Sequence, residues 1–340
     1  MEPPAALDMT SGNSITSEGA PKDSPAQRIA SKAAPIALLA AIAAFPLANP
    51  GPNTIRLLFV SLVWVTASVA WNILGGFAGQ VSFGFAVFYG LGAYGTSMAL
   101  NAGLPRPLAL LAGAVVAAVA SLIIGLPTFR LRGPYFAIAT IGVSEAVRVV
   151  MTNLAFTGGA SGYRITEHGA FHQLLHFYTS LTLAALAVVI SILVRRSRFG
   201  LALIAVREDE DAASDLGVNP FAGKLLAHAL AAGLTAAAGG VFAGYADFIY
   251  PGGVFGFDIG VAILLMPIIG GVGTIWGPVI GAAVYGFVHE ELIASFPELH
   301  LLLYGLLLIL IILFEPGGIE ELASKCVRHF RRESPSAANP

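Results

Sequence analysis

The sequence predicts an all-α fold: a polytopic helical membrane protein of about ten transmembrane or half-spanning helices. Composition is the first reason. Of 340 residues, 56% are hydrophobic and 11% charged, with a mean hydropathy of +0.79. A soluble domain carries about a quarter charged residues. Patterning is the second: apolar runs of roughly 20 residues recur, each long enough as helix to cross ~30 Å of hydrocarbon. The third is the 39 glycines, which with many alanines let helix backbones meet where lipid provides little hydrophobic drive between them. A single cysteine, Cys326, excludes a disulfide framework and a cysteine metal cluster.

Taken in order, the elements begin with a Pro-, Ser-, Ala- and Gly-rich stretch, Met1 to Ser31, which lacks the compact basic region and apolar core of a signal peptide. Residues 1–32 read as a disordered cytoplasmic tail. The membrane domain is placed at 33–315, with apolar segments near 33–49, 54–74, 81–101, 107–126, 134–155, 178–194, 224–247, 257–273, 275–296 and 299–315. Pro35 and Pro46 bracket the first, a short segment that suits a peripheral position. The near-absent gap between the eighth and ninth suits half-helices or a tight hairpin. Residues 195–223 form a cytoplasmic loop and 316–340 a cytoplasmic C-terminal tail. With both termini inside, 14 of the 18 basic residues fall on cytoplasmic segments, as the positive-inside bias requires. Arg56, Arg106 and Arg164 fall outside, and Arg148 lies within a span.

Residues 195–224, RRSRFGLALIAVREDEDAASDLGVNPFAGK, are a charged island between two oily segments. So dense a charged helix between spans reads as a docking element for a soluble partner; the plainer reading is a solvated amphipathic loop. Within it, Asp211-Ala212-Ala213, three residues and Gly217 lie in a short helix closed by glycine and Pro220. The segment resembles the coupling loop of ABC importer permeases, whose pattern is Glu-Ala-Ala, three residues, Gly. Asp211 replaces the glutamate and keeps the carboxylate. The resemblance implies that Arg207, Glu208, Asp211, Ala212, Ala213 and Gly217 contact a cytoplasmic ATPase subunit.

A second block, Trp71 to Leu100, reads WNILGGFAGQVSFGFAVFYGLGAYGTSMAL. Gly75, Gly76 and Gly79 permit a broken or re-entrant helix, and Gln80 and Ser82 supply hydrogen-bonding groups at the break. Plain packing through Gly75-x-x-x-Gly79 explains the same residues. A third block, RLRGPYFAIATIGVSEAVRVV, spans 130–150 and precedes Thr157-Gly158-Gly159. Arg130 and Arg132 anchor a turn at headgroups, and Gly133-Pro134 starts the next span. Glu145 and Arg148 sit three apart on one face and can pair, as structure or as function. The fourth block is IGVAILLMPIIGGVGTIWGPVIGA, residues 259–282. Gly273, Gly277 and Gly281 are expected on one helix face, with Pro267 and Pro278 at kinks or breaks.

All four blocks, in this order, resemble the branched-chain amino-acid ABC transporter permease family, close to its LivM-like branch. The resemblance covers roughly residues 55–315. It implies a subunit without a cofactor of its own, ATP and Mg being held by partner ATPase subunits. Implied partners are those ATPases, a second homologous permease, an extracytoplasmic substrate-binding protein and membrane lipid, in a bacterial inner membrane. No nucleic-acid partner and no bound metal are expected. Gly76, Gly79, Gln80, Ser82, Tyr135, Thr157, Gly158 and Gly159 are the candidate substrate-pathway residues. Leucine, isoleucine or valine is the expected cargo, with urea or short amides as the alternative within the same architecture. An ATP-independent carrier or channel is a reading from another class, against which stands the absence of a chain of intramembrane acids. A membrane-embedded enzyme is opposed by the lack of paired carboxylates or a Ser/His/Asp set in any span.

Two motifs are decoys. Gly90 to Gly95 fits G-x-G-x-x-G but lies in a span with no preceding strand. Gly217 to Lys224 lacks the spacing and the Ser or Thr of a phosphate loop. His168, His172 and His176 recur every fourth residue, and a solvated amphipathic helix explains them better than a metal site.

Overall fold

A computed structural model describes residues 39–48, 51–166 and 172–295, with a few further positions between 299 and 320. The chain divides into two units, residues 1–45 and 46–340. In the first, residues 39–44 are helical.

The second unit is a helical bundle. Helix α1 (Pro52–Asn72) runs into a π-helical turn (Ile73–Phe77), after which the chain leaves helical geometry until α2 (Phe85–Asn101). Helices α3 (Arg106–Thr128), α4 (Pro134–Asn153) and α5 (Gln173–Arg196) follow. Two short helices, α6 (Arg198–Glu208) and α7 (Glu210–Asp215), lead into the long α8 (Pro220–Ala246). The described fold closes with the single turn α9 (Pro251–Val254), α10 (Phe257–Gly270) and α11 (Gly277–Ser295). Strands β1 (Tyr163–Arg164) and β2 (Phe248–Ile249) pair antiparallel, Tyr163 opposite Ile249.

Local chemistry explains the helix starts. Pro52, Pro134, Pro220 and Pro251 occupy first-turn positions, where a missing N–H costs nothing. The Asn219 side chain accepts from Ala222 N at 3.0 Å and that of Ser197 from Gly200 N at 3.1 Å, capping α8 and α6.

Among the described residues, six helical stretches are long and apolar enough to cross a membrane: 52–77, 106–128, 134–153, 173–196, 220–246 and 251–270. This is a multi-pass membrane protein. Helices α1, α2 and α8 form its centre, with α3 packed against α2 and α8. A Cβ on Gly92 of α2 would strike the Ala236 backbone, and one on Gly239 of α8 would strike the Tyr89 carbonyl. The small residues therefore let the two backbones touch. Helices α3 and α4 are the least covered: 28% and 22% of their apolar windows are buried, against 72% for the stretch 52–77.

The apolar segments expected from sequence differ from these helices at several points. The third begins at Phe85 rather than 81, because residues 78–84 are the break. The eighth and ninth are separated by six non-helical residues, 271–276, not one or two. Gly273 lies in that turn with φ +78°, so it does not share a helix face with Gly277 and Gly281. Gly277 presses instead on the turn and Gly281 on α10: their Cβ atoms would strike the Gly271 and Met266 carbonyls. Pro278 stands in the first turn of α11, directly after the 271–276 break, and Pro267 lies inside α10. The terminal tails, the segment at 299–315, His168 and Cys326 lie, a few scattered positions aside, outside the described residues.

Candidate functional site: a charged segment fastened to a broken helix

The charged island folds as α6, α7 and the turn into α8. Asp209 separates the two short helices and caps the second, its carboxylate accepting from Asp211 N at 3.0 Å and Ala212 N at 2.9 Å. Ala213 is buried beneath α7, while Glu208, Asp211, Ala212 and Gly217 are exposed. Leu216, 85% exposed, projects from the end of this segment beside Gly217.

Three polar ties hold the segment to the bundle. Lys224, buried at the start of α8, donates to Glu210 of α7 at 2.5 Å. Arg132, in the turn between α3 and α4, meets Asp211 at 3.3 Å with both side chains mostly exposed, so that contact adds little stability. Arg207 makes the third tie: its Nη1 donates to the Gly76 carbonyl at 2.7 Å. Gly76 belongs to the π turn at the end of α1, where departure from α geometry frees backbone groups for outside partners.

The same point gathers the turn between α10 and α11. Asn72, fully buried, donates to the Thr274 carbonyl and accepts from Gly273 N, both at 2.8 Å. A Cβ on Gly273 would lie 2.3 Å from Arg207 Nη1, and one on Gly79 would lie 2.9 Å from Arg207 Cγ. Both glycines also have positive φ, +78° and +69°, a conformation costly to other residues. The guanidinium thus sits where three segments distant in sequence converge. Beyond the break, Trp71 Nε1 donates to the Ser82 carbonyl at 2.8 Å, and Thr140 Oγ1 of α4 accepts from Phe83 N at 3.1 Å. The Ser82 hydroxyl accepts from Gly84 N at 3.2 Å and lines a small cavity with Thr128, Thr140 and His228.

The candidate pathway residues do not all meet. Gly76, Gly79, Gln80 and Ser82 cluster at the break. Tyr135, 73% exposed, stands at the start of α4, next to the Arg132 turn. Thr157, Gly158 and Gly159 lie past the opposite end of that 20-residue helix, about 30 Å away. There the Thr157 hydroxyl, buried, donates to the Met151 and Leu154 carbonyls and closes the turn that leads to β1. The site residues expected from sequence included neither Asn72 nor Glu210; an amide in an otherwise apolar span was the available signal for the first. Among the described residues no group of three or more His, Cys, Asp or Glu could hold a metal ion.

The site is thus an ionic segment tied to a helix break in a multi-pass helical bundle. The family model described as branched-chain amino acid transport system / permease component matches residues 53–312. The chain belongs to that family. It is 30% identical over 316 residues to the high-affinity branched-chain amino acid transport system permease protein LivM of Escherichia coli K12, covering 84% of this chain and 73% of that protein. Identity to the LivM protein of Salmonella typhimurium LT2 is 31% over 292 residues, with coverage of 76% and 68%. A shorter match, 33% over 134 residues, joins 39% of this chain to 42% of the permease protein LivH of the same Salmonella strain. No solved structure gives a significant match.

Proposed function

We propose that the chain is the membrane subunit of an ATP-driven importer for leucine, isoleucine and valine, working by alternating access. ATP and Mg belong to separate ATPase subunits in this reading, and α6–α7 with Gly217 is the surface those subunits grip. A second, homologous permease and an extracytoplasmic binding protein complete the assembly, in a bacterial inner membrane with both termini cytoplasmic. The excess of basic residues on the side of Arg130, Arg132 and the 195–224 island supports that orientation.

The Arg207–Gly76 hydrogen bond is the observation that carries the reading. It ties an exposed ionic segment to the interrupted end of a span, so a force applied at the segment reaches a helix inside the bilayer. A secondary carrier has no need of such a lever. The names of the relatives, all branched-chain amino acid transport proteins, support the cargo.

Gly217→Arg tests it. A Cβ there meets no atom within 4 Å and φ is +85°, so the substitution costs about 1–2 kcal/mol of backbone strain and leaves insertion intact. Uptake by the reconstituted complex is expected to fall to background. Undiminished uptake without ATP would sink the proposal in favour of a self-sufficient carrier.

A further inference from the structure

Helix α4 carries one ion pair within an apolar span. Glu145 accepts from Arg148 Nε at 2.9 Å and also from its Nη2. These are the only charged residues between Pro134 and Asn153. Glu145 lies eight residues before Asn153 and eleven after Pro134, about 12 and 16 Å from the two ends. Arg148 stands nearer that end, five residues or about 8 Å from Asn153, so Glu145 is the deeper member of the pair.

The pair is nevertheless open. Its side chains are 53% and 37% exposed, on the face that also shows Ile138, Ile141 and Gly142. The opposite face, with Phe136, Thr140, Ser144 and Met151, is the one packed into the bundle. A charge turned to hydrocarbon at the centre of a span costs about 2.5–3.5 kcal/mol even on the mildest scale, and Glu145 is the one nearer that depth. An apolar helix gains nothing by placing its only ions there, so this face meets water, a polar guest or a neighbouring subunit.

The free valences say what guest. Arg148 uses Nε and Nη2 on Glu145, which leaves the Nη1 donors; Glu145 keeps acceptor lone pairs on both oxygens. Offered side by side are donors for a carboxylate and an acceptor for an ammonium. One turn towards Pro134, a Cβ on Gly142 would find nothing within 4 Å, and Ile138 and Ile141 flank that opening. The order along the face is therefore cation, anion, notch, apolar wall.

We propose that Glu145 and Arg148 bind the zwitterionic head of a small α-amino acid in a water-filled path along α4, with its apolar side chain against Ile138, Ile141 and the Gly142 notch. The inference rests on the transport reading above and adds a recognition site to it. Arg148 takes the carboxylate through charge-assisted hydrogen bonds and Glu145 the ammonium. A guest lacking either charge leaves one half of the pair without its counterpart.

Substrate-protected cysteine labelling in the assembled transporter tests this. Ala146, exposed on the next position of the helix, is replaced by cysteine in a Cys326→Ser background and exposed to a membrane-impermeant thiol reagent. Labelling is expected, and leucine in millimolar excess should slow it. Neither 4-methylpentanoate, which lacks the ammonium, nor 3-methylbutylamine, which lacks the carboxylate, should do so. Glu145→Gln and Arg148→Gln, introduced separately, should abolish the protection and raise KM for leucine about tenfold or more, the scale of a charged hydrogen bond. The exchange Glu145→Arg with Arg148→Glu re-forms the pair but reverses the order of charges, so it should not restore KM.

No labelling of the Ala146→Cys variant, with a cross-link from its introduced thiol to a neighbouring permease, would make this a subunit interface and overturn the proposal. Equal protection by either truncated analogue, or full recovery in the exchanged pair, would overturn it too. These outcomes are separable from failure of the transport reading, which shows itself when the wild-type complex moves no leucine at all.

Discussion

A single guanidinium carries much of the proposed mechanism. Arg207 reaches a carbonyl 131 residues earlier in the chain through one 2.7 Å hydrogen bond, in a socket that two glycines keep open. Lysine would keep the charge but lose the rigid fork and some reach. Arg207→Lys is therefore expected to retain nucleotide hydrolysis while moving several-fold less leucine per ATP. The ratio of the two rates in proteoliposomes checks this, and an unchanged ratio would remove Arg207 from the force path. Asn72 makes a companion case. Its amide serves two backbone groups of the 271–276 turn from a fully buried position. Asn72→Ala leaves both unpaired at about 1–3 kcal/mol each, so the purified protein should melt clearly earlier in detergent. Neither contact could be read from sequence. Spacing exposes partners three or four residues apart, such as Glu145 and Arg148, but gives no sign that residues 72, 76, 207 and 273 converge.

At the scale of elements, the charged segment is fastened to α8 by the Lys224–Glu210 pair. Lys224 is buried and its partner side chain partly so, which makes the pair sensitive to removal of one member. Lys224→Met alone strands a carboxylate and should lower thermal stability. Adding Glu210→Met should recover part of the loss, a comparison that thermal size-exclusion profiles can make; a further loss in the double variant would mean the two do not act as a pair. Helices were the most legible elements, since apolar runs of 20 or more residues point to spans and prolines mark their first turns. The turn holding Gly273 was misplaced on a helix face because glycines four apart fit a helix and a hairpin equally well. Its positive φ decides the matter, and φ leaves no trace in residue spacing.

For the bundle, burial is uneven: a dense centre of α1, α2 and α8, with α3 and α4 showing most of their surface. Multi-pass architecture and family followed from composition and motif order. The division of the candidate pathway residues between the two ends of α4 did not, because motifs record order along the chain and not depth in the bilayer. That division makes an orientation test direct. Cysteines introduced at Leu216 and Phe156, both well exposed, should react with an impermeant thiol reagent from opposite sides of sealed vesicles in a Cys326→Ser background. Reaction of both from one side would require a different threading of the chain.

The π turn at Ile73–Phe77 has a mechanical meaning of its own. Such a turn stores one residue more than an ordinary coil. Were it to relax to α geometry, the surplus would pass into the non-helical stretch 78–84 that follows. The first span would keep its facing, and the link to α2 would gain a residue of slack. The hydrogen bond on the Gly76 carbonyl is well placed to keep that slack inside the turn.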